Sequence, residues 1–459
     1  MQPGNLLLIN PWIYDFAAYD FWAKPLGLLY LGGLLEKNGW NIDFIDCLDV
    51  HHPAVQTGWR KPKRKPDHRG PFYKQTVKSP APLRGIPRLF HRFGIPLGSF
   101  KDVLRAIPSP RAVLVTSGMT YWYWGVHEAI KVVKELFPHA PVILGGIYAS
   151  LCPAHAEGSG ADFVVRGQGE LQVLALLEEL TGVSPLYQPD AGVLDSLPYP
   201  GFHLYPQVDY VCVLGSRGCP FSCSYCASPL LNPKFLTRDP IAVVREILHW
   251  TERHGVEDVA FYDDAFLSDQ EFVVSLLREI RDREVRVRFH TPNGLHARSL
   301  TGEVAGLMRQ VGFATVRIGL ETSCSDRQLA TGGKVNNEQF REAVQNLRRA
   351  GYSAHEIGVY VLVGLPRQTR DEVEATIQFV WQQGARPYLA EYSPLPGTPI
   401  WEEAMMVSPF DLDGEPLFQN NTLLPCRWDG LTWEDLQDLK SIVHSRTGSS
   451  RCNQKAKVL

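Results

Sequence analysis

Apolar runs of strand length alternate with helix-like stretches through most of this chain, and this alternation constrains its fold more than any other feature. Between residues 211 and 392, six such runs are separated by five helix-like stretches. Pro240 begins one predicted helix, Gly255 ends it, and Ser268 with Glu271 forms a predicted capping box for the next. The pattern predicts a partial (β/α)6 barrel of the TIM type. Its strands are predicted at residues 211–214, 259–262, 285–289, 315–318, 357–363 and 388–392.

The N-terminal part shows a second run of the same alternation. Strands are predicted at residues 5–9, 42–45, 113–116, 142–144 and 163–165, with apolar helix faces between them. This arrangement predicts a doubly wound, Rossmann-like parallel sheet, so the whole chain is assigned to the α/β class. The predicted organisation is a Rossmann-like domain at 1–180, a proline-rich linker at 181–206, the partial barrel at 207–405 and a C-terminal extension at 406–459 with a disordered tail.

A basic segment at residues 51–101 interrupts the N-terminal alternation. It contains twelve lysine and arginine residues, including the run Arg60-Lys-Pro-Lys-Arg-Lys65, and one acid, Asp67. Such local positive charge suits the phosphates of a substrate or of RNA. The segment lacks clear periodicity, and we interpret it as a solvated insertion loop.

Composition excludes several classes of protein. The hydrophobic fraction of 44% and the charged fraction of 21% are globular values, which excludes a wholly disordered or coiled-coil chain. The 46 basic and 49 acidic residues leave a net charge of −3, which implies neither a nucleic-acid nor a membrane partner. No secretory signal and no apolar run long enough to span a bilayer is found, so we expect a cytoplasmic protein.

A cluster of cysteines follows the first predicted barrel strand. Cys219, Cys223 and Cys226 have the spacing CxxxCxxC. In barrels of this type, the loops after the carboxyl ends of the strands form the active site. Three thiolates can bind three irons of a four-iron, four-sulfur cluster and leave the fourth iron open for a small molecule. Structural zinc is the alternative, but it requires a fourth ligand at matching spacing, and none is evident.

The cysteine motif, with Tyr225 just before its third cysteine, resembles that of the radical S-adenosylmethionine (SAM) superfamily. The resemblance covers about residues 207–400 and extends to Arg317-Ile-Gly-Leu-Glu321 at the fourth strand. It implies that Cys219, Cys223 and Cys226 hold a 4Fe-4S cluster to which SAM binds. It also implies reductive cleavage of SAM to a 5′-deoxyadenosyl radical, with the electron coming from an external donor such as flavodoxin or ferredoxin.

The same resemblance implies which residues contact SAM. The backbone near Tyr225 would meet the adenine, and Glu321 would bond to polar groups of SAM. Asp263 and Asp264 would lie near the methionine amine, although this Asp pair replaces the more usual Gly-Gly-Glu of the family. Asn293 is a further candidate. The structural alternative for each carboxylate is an acid at a strand end that caps the next helix.

Residues 5–176 resemble the cobalamin-binding domain that precedes many radical SAM cores. The resemblance rests on Ser117-Gly-Met119 and on Gly145-Gly-Ile-Tyr148, each of which follows a predicted strand. It implies that Ser117, Gly145 and Gly146 approach cobalamin. The DxHxxG segment is missing, since no histidine lies between Asn10 and Ala23, so cobalamin would bind without histidine ligation. Alternatively, Gly145 and Gly146 only close a turn.

These resemblances imply a cobalamin-dependent methyltransferase that acts on an unactivated carbon of a small molecule or peptide. The alternative within the same superfamily is a rearrangement, cyclisation or oxidation without cobalamin chemistry. A methylthiotransferase fits less well, because that family carries three N-terminal cluster cysteines and only Cys47 and Cys152 precede the linker. The remote alternative is a zinc-stabilised RNA-binding protein.

Overall fold

The computed structural model describes the backbone of residues 3–55 and 61–455, and the side chains of these residues as far as Arg446. Arg60, at the start of the predicted basic run, therefore lies outside the described residues. The chain divides into two compact units. Unit 1 comprises Met1–Gly218, Ser228–Ala260 and Glu415–Leu417, and unit 2 comprises Cys219–Ala227, Phe261–Gly414 and Phe418–Leu459. The predicted domain boundaries do not follow this division and stay a prediction.

Unit 1 contains short strands and eight helices among its described residues. The strands are β1 (Asn5–Asn10), β2 (Ile13–Asp15), β3 (Tyr19–Asp20), β4 (Asn41–Asp46), β5 (Gly70–Pro71), β6 (Lys74–Val77), β7 (Phe90–Phe93), β8 (Ala112–Val115), β9 (Val142–Leu144), β10 (Phe163–Val164), β11 (Val211–Val213), β12 (Ser216–Arg217), β13 (Leu236–Thr237) and β14 (Asp258–Phe261), which reaches the unit boundary. The helices are α1 (Leu26–Lys37), α2 (Leu97–Ala106), α3 (Tyr123–Leu136), α4 (Ile147–Leu151), α5 (Pro153–Glu157), α6 (Glu170–Thr181), α7 (Ser228–Leu231) and α8 (Pro240–His254).

The N-terminal sheet is parallel and has the order β10-β9-β8-β1-β4. Its interior strand β1 is fully buried from Leu6 to Ile9, as expected for a strand covered on both faces. The strand order reverses at β1, which lies between β4 and β8. This confirms the doubly wound sheet, and such a reversal creates a crevice at the carboxyl ends of the strands where ligands bind.

The described part of the basic segment contains short strands, so its interpretation as a solvated insertion loop was wrong. Strand β7 pairs with β2 and β6 in a three-stranded antiparallel sheet, and β5 pairs with β3. The periodicity was undetectable because the strands have two to four residues and pair partly with strands before the segment. Nearby acids also neutralise part of its charge, because Arg64 pairs with Asp20 and Arg69 pairs with Asp67.

Unit 2 contains five strands and seven helices among its described residues. The strands are β15 (Arg288–His290), β16 (Leu295–His296), β17 (Phe313–Glu321), β18 (Ile357–Val363) and β19 (Arg386–Glu391). The helices are α9 (Gln270–Asp282), α10 (Gly302–Gln310), α11 (Ser325–Ala330), α12 (Asn337–Arg349), α13 (Arg370–Gln382), α14 (Trp401–Val407) and α15 (Trp433–Lys455). Strands β15, β17, β18 and β19 pair in parallel in that order, and β16 also pairs with β17.

The helix boundaries agree with the sequence signals in most cases. Asp239 caps α8 at the predicted proline start, and Gly255 ends it in the left-handed conformation. The predicted capping box of Ser268 was wrong by one residue, because Asp269 accepts the hydrogen bond from the Phe272 amide. Both residue types are good N-caps, so composition alone did not separate them.

The C-terminal region ends in α15, whose backbone is helical to Lys455. The last four residues lie outside the described part of the chain. No helix among the described residues is long and apolar enough to cross a membrane.

Candidate active site

The three motif cysteines lie on one loop of unit 2, close to the segments after β17 and β19. The Ser224 amide donates to the carbonyl of Thr331 at 3.2 Å, and the Ser224 carbonyl accepts from the Ile400 amide at 3.1 Å. Tyr225 packs into an apolar cluster with Leu365 and Trp401. The loop is therefore held on both sides by segments that follow the strands.

The three thiols form no disulfide and lie close enough to influence one another. Cys223 is buried, and Cys219 and Cys226 are partly exposed. Burial raises the pKa of Cys219 to about 11, and the negative charges of Cys226 and Cys223 add to this rise. Mutual repulsion of thiolates is relieved when metal ions bind them, so these groups fit a cationic centre.

No group of three or more His, Cys, Asp or Glu side chains among the described residues is arranged around a single metal ion. In an iron–sulfur cluster each cysteine binds a different iron, so the sulfur atoms need not converge on one point. A loop of three cysteines therefore fits such a cluster, and a tetrahedral zinc site stays the alternative.

Glu321 lies at the end of β17 in a strained conformation. Its φ angle is +67°, in the left-handed region that a non-glycine residue rarely adopts, and the register with β18 shifts between Gly319 and Glu321. Its Oε1 accepts a hydrogen bond from Nζ of Lys334 at 2.5 Å. A Cβ at Gly319 would lie 2.7 Å from that oxygen, so the glycine makes room for the carboxylate. Such strain is typical of functional positions.

The other predicted SAM contacts lie near the ends of neighbouring elements of unit 2. Asn293 donates from Nδ2 to the carbonyl oxygens of Tyr262 and Asp263, both at 3.1 Å. Asp263 is buried, and Asp264 contributes to the raised pKa of Cys219. The structure therefore brings Asp264 to the cysteine loop and links Asn293 to the acidic segment. Direct contacts of these residues with SAM stay a prediction.

Two polar residues at this site were missed by the sequence analysis. The ring of His296 lies 4.6 Å from that of Phe221 on the cysteine loop, and burial lowers its pKa to about 3. Its Nδ1 is buried without a hydrogen-bond partner among the described residues. Lys334 is the second, with its Nζ 5.7 Å from the ring centroid of Tyr225. Neither lies in a local motif, so no sequence signal identified them.

A second candidate site lies at the carboxyl edge of the N-terminal sheet, in unit 1. Gly146 has a φ of +96°, and a Cβ there would lie 2.3 Å from the carbonyl oxygen of Ser117. At Gly145 a Cβ would contact only the carbonyl of Val165, at 3.8 Å, so the space above this residue is open. An open glycine at the strand end allows a large planar group to approach the backbone, which fits cobalamin.

Ser117 shapes the same turn. Its hydroxyl donates to the Gly145 carbonyl at 2.6 Å and accepts from the Ala149 amide at 3.3 Å. Both bonds are internal to the turn, which supports the structural role that was the alternative for this segment. Contact of Ser117, Gly145 or Gly146 with cobalamin stays a prediction.

A buried aromatic and histidine cluster beside this turn was also missed. The Tyr148 hydroxyl lies 2.6 Å from Nδ1 of His155 and 3.1 Å from Nε2 of His127. Tyr123 stacks on Tyr148 and donates to Glu415 at 2.9 Å. Burial lowers the pKa of His127 to about 4 and raises that of Tyr148. Tyr123 and Tyr148 thus pack against each other within unit 1.

Comparison with known proteins agrees with both candidate sites. The model of the radical SAM superfamily matches residues 213–380, and that of the B12 binding domain matches residues 99–177. The fold and the cysteine loop thus define a radical SAM enzyme with a cobalamin-binding domain. The chain therefore contains a radical SAM domain and a B12 binding domain.

Individual relatives are distant. An uncharacterised methyltransferase of Pyrococcus horikoshii is 27% identical over 73% of this chain and 76% of its own length. A cytidylyl-2-hydroxyethylphosphonate methyltransferase of Streptomyces wedmorensis is 22% identical, with 93% and 87% covered. The solved structure of the radical SAM methyltransferase TsrM of Kitasatospora setae, with cobalamin and a [4Fe-4S] cluster, has a TM-score of 0.65 at 18% identity and covers 90% of this chain and 76% of its own. This last likeness concerns the fold.

Proposed function

We propose that this protein is a cobalamin-dependent radical SAM methyltransferase that acts on an unactivated carbon. The observation that carries the proposal is the set of three mutually interacting thiols in a chain that also has an open glycine turn at the edge of a B12-binding sheet. When bound, the cluster supplies the electron that cleaves SAM to a 5′-deoxyadenosyl radical, and cobalamin supplies the methyl group.

The residues of the chain bind and orient these groups. Cys219, Cys223 and Cys226 would hold the cluster, and Glu321 would accept hydrogen bonds from the ammonium or the ribose of SAM. The apolar cluster around Tyr225 would keep water away from the adenine side of the site. Gly145 would let the cobalamin approach the backbone, with Gly146 and Ser117 fixing the turn beneath it.

The partners follow from this chemistry. A radical SAM enzyme requires an external reductant, for which we propose flavodoxin or ferredoxin. The substrate would be a small molecule or a peptide. The described cysteines are free of disulfides, which agrees with a reducing compartment, and we propose the cytoplasm.

The test uses anaerobically purified protein, reconstituted with iron and sulfide, then given cobalamin, SAM and a strong reductant. We expect both 5′-deoxyadenosine and S-adenosylhomocysteine, the latter only when cobalamin is present. Deoxyadenosine without cobalamin-dependent S-adenosylhomocysteine would instead support the rearrangement, cyclisation or oxidation considered above.

A matched pair of cysteine variants controls the test. Cys223→Ala should lose iron and deoxyadenosine formation, because a ligand is removed. Cys324→Ala removes a partly exposed cysteine of the same unit that lies outside the motif, and it should retain both. Equal iron content in the two variants would contradict the assignment of the cluster ligands.

A further inference from the structure

Lys334 is a largely buried cation on the segment between α11 and α12, beside the cysteine loop. Its side chain is 15% exposed, and its one described ion pair is with Glu321, at 2.5 Å. Most lysines of a folded protein keep the ammonium in water, since burying a charge is costly. A lysine side chain that is this little exposed therefore indicates that nearby negative charge stabilises its ammonium group.

The backbone around Lys334 is built against the cysteine loop. Gly332 has a φ of +109°, and a Cβ there would lie 3.0 Å from the Ser222 carbonyl and 3.2 Å from Cα of Cys223. The neighbouring carbonyl of Thr331 accepts the amide of Ser224 at 3.2 Å. The position of the lysine relative to the cysteines is thus set by close backbone contact.

The negative charges that surround Lys334 come from two sources. Glu321 is the nearest, and the thiolates of Cys223 and Cys226 act in the same direction, so the pKa of Lys334 is raised despite the opposing effect of burial. Burial, together with the charges of Lys334 and Arg298, lowers the pKa of His296 to about 3, so its ring adds no positive charge here. The ion pair with Glu321 therefore holds the Lys334 ammonium beside the cysteine loop.

We propose that Lys334 is a positioning residue that raises the reduction potential of the cluster held by Cys219, Cys223 and Cys226. The inference rests on the proposed function. One electron passes from the external reductant to the bound cluster, which gains one negative charge, and no proton is transferred. A fixed cation in a poorly solvated site stabilises the more negative, reduced state and makes the electron easier to accept. Glu321 opposes this effect, so the two members of the ion pair should shift the potential in opposite directions.

The experiment is an anaerobic potentiometric titration of the reconstituted full-length protein without SAM or cobalamin, followed by electron paramagnetic resonance. Lys334→Met should make the midpoint potential more negative, and Lys334→Arg should leave it close to that of the wild type. Glu321→Gln should make it more positive. Lys440→Met is the matched control, because it breaks another Lys–Glu pair of unit 2, in which Nζ lies 2.5 Å from Glu391.

The outcomes distinguish the electrostatic role from a structural one. Iron and sulfide are counted first, and a wild-type protein without a cluster would overturn the proposed function itself. An unchanged potential in cluster-loaded Lys334→Met would overturn this inference alone. If Lys334→Met holds no cluster, Lys334→Gln and Glu321→Gln decide, and shifts of the same sign in both would overturn it.

Discussion

At the scale of single residues, burial lowers the pKa of several histidines in this molecule. His127 is partly buried beside Tyr148 and His155, and its pKa falls to about 4 because of burial and the charge of His155. Its unfolded value is near 6.5. Below pH 6.5 the unfolded chain binds a proton at His127 that the folded chain does not bind. The free energy of unfolding therefore falls as the pH drops from about 6.5 to about 4.

Replacing His127 by glutamine should therefore reduce the loss of stability between pH 6.5 and pH 4. Glutamine has no proton to gain and can still bond to the Tyr148 hydroxyl. The measurement is the thermal unfolding midpoint of the apoprotein across this range. Replacement of the exposed His139 is the control. An acid slope identical to that of the wild type would contradict this account of His127.

The residues of the cysteine motif were identifiable from sequence because their spacing is local. Lys334 and His296 were not, since each meets the cysteine loop only after chain segments far apart in sequence fold together. Glu321 was found through its motif, but its left-handed backbone and its pairing with Lys334 depend on the register shift of β17. Ligand residues with a short, regular spacing can be predicted from sequence. Charged residues that reach the site only through tertiary packing cannot.

At the scale of secondary-structure elements, the turn between β9 and α4 is the part of the B12-binding sheet most sensitive to substitution. Gly146→Ala would place a Cβ 2.3 Å from the Ser117 carbonyl at a φ of +96°. We expect a loss of stability of about 1–3 kcal/mol, together with weaker cobalamin binding. Absorbance titration with cobalamin and denaturant unfolding would measure the two effects.

Gly98→Ala is the control for this prediction. Gly98 lies in α2, where a Cβ would meet nothing within 4 Å, and alanine favours a helix. This variant should bind cobalamin as the wild type does. Wild-type stability and cobalamin affinity in Gly146→Ala would show that the turn is not as constrained as described.

The elements with strong periodicity or clear boundary residues were predicted well, and the short ones were not. Residues 357–363 were predicted as a strand and form β18 with the same limits. In contrast, β5, β6 and β7 are too short for an alternating pattern, and their stability comes from partners distant in sequence. These strands form because they pair with other strands in the folded protein, and the local sequence pattern does not contain this information.

At the scale of the whole molecule, the basic segment is attached to the rest of unit 1 through an ion pair. The Arg64 guanidinium is largely buried and pairs with the buried Asp20. Asp20 also accepts from the Tyr210 hydroxyl at 2.8 Å, just before β11. The basic segment, the region after β1 and the start of β11 are thereby joined through one carboxylate.

Arg64→Met should destabilise the protein by about 3 kcal/mol, because it leaves the buried Asp20 without its cation. Lys63→Met, at an exposed neighbouring position, should have little effect. Denaturant unfolding of the two variants measures the difference. If both variants unfold at the same denaturant concentration, the segment is not held by this ion pair.

The central claim is that three cysteines leave one iron of the cluster open for SAM. Electron–nuclear double resonance on the reduced, reconstituted protein with SAM labelled with ¹⁵N at its amino group tests it most directly. The account predicts coupling between the label and the cluster, and its absence in Cys223→Ala. A fully reduced cluster whose signal neither couples to the label nor changes on addition of SAM would contradict it.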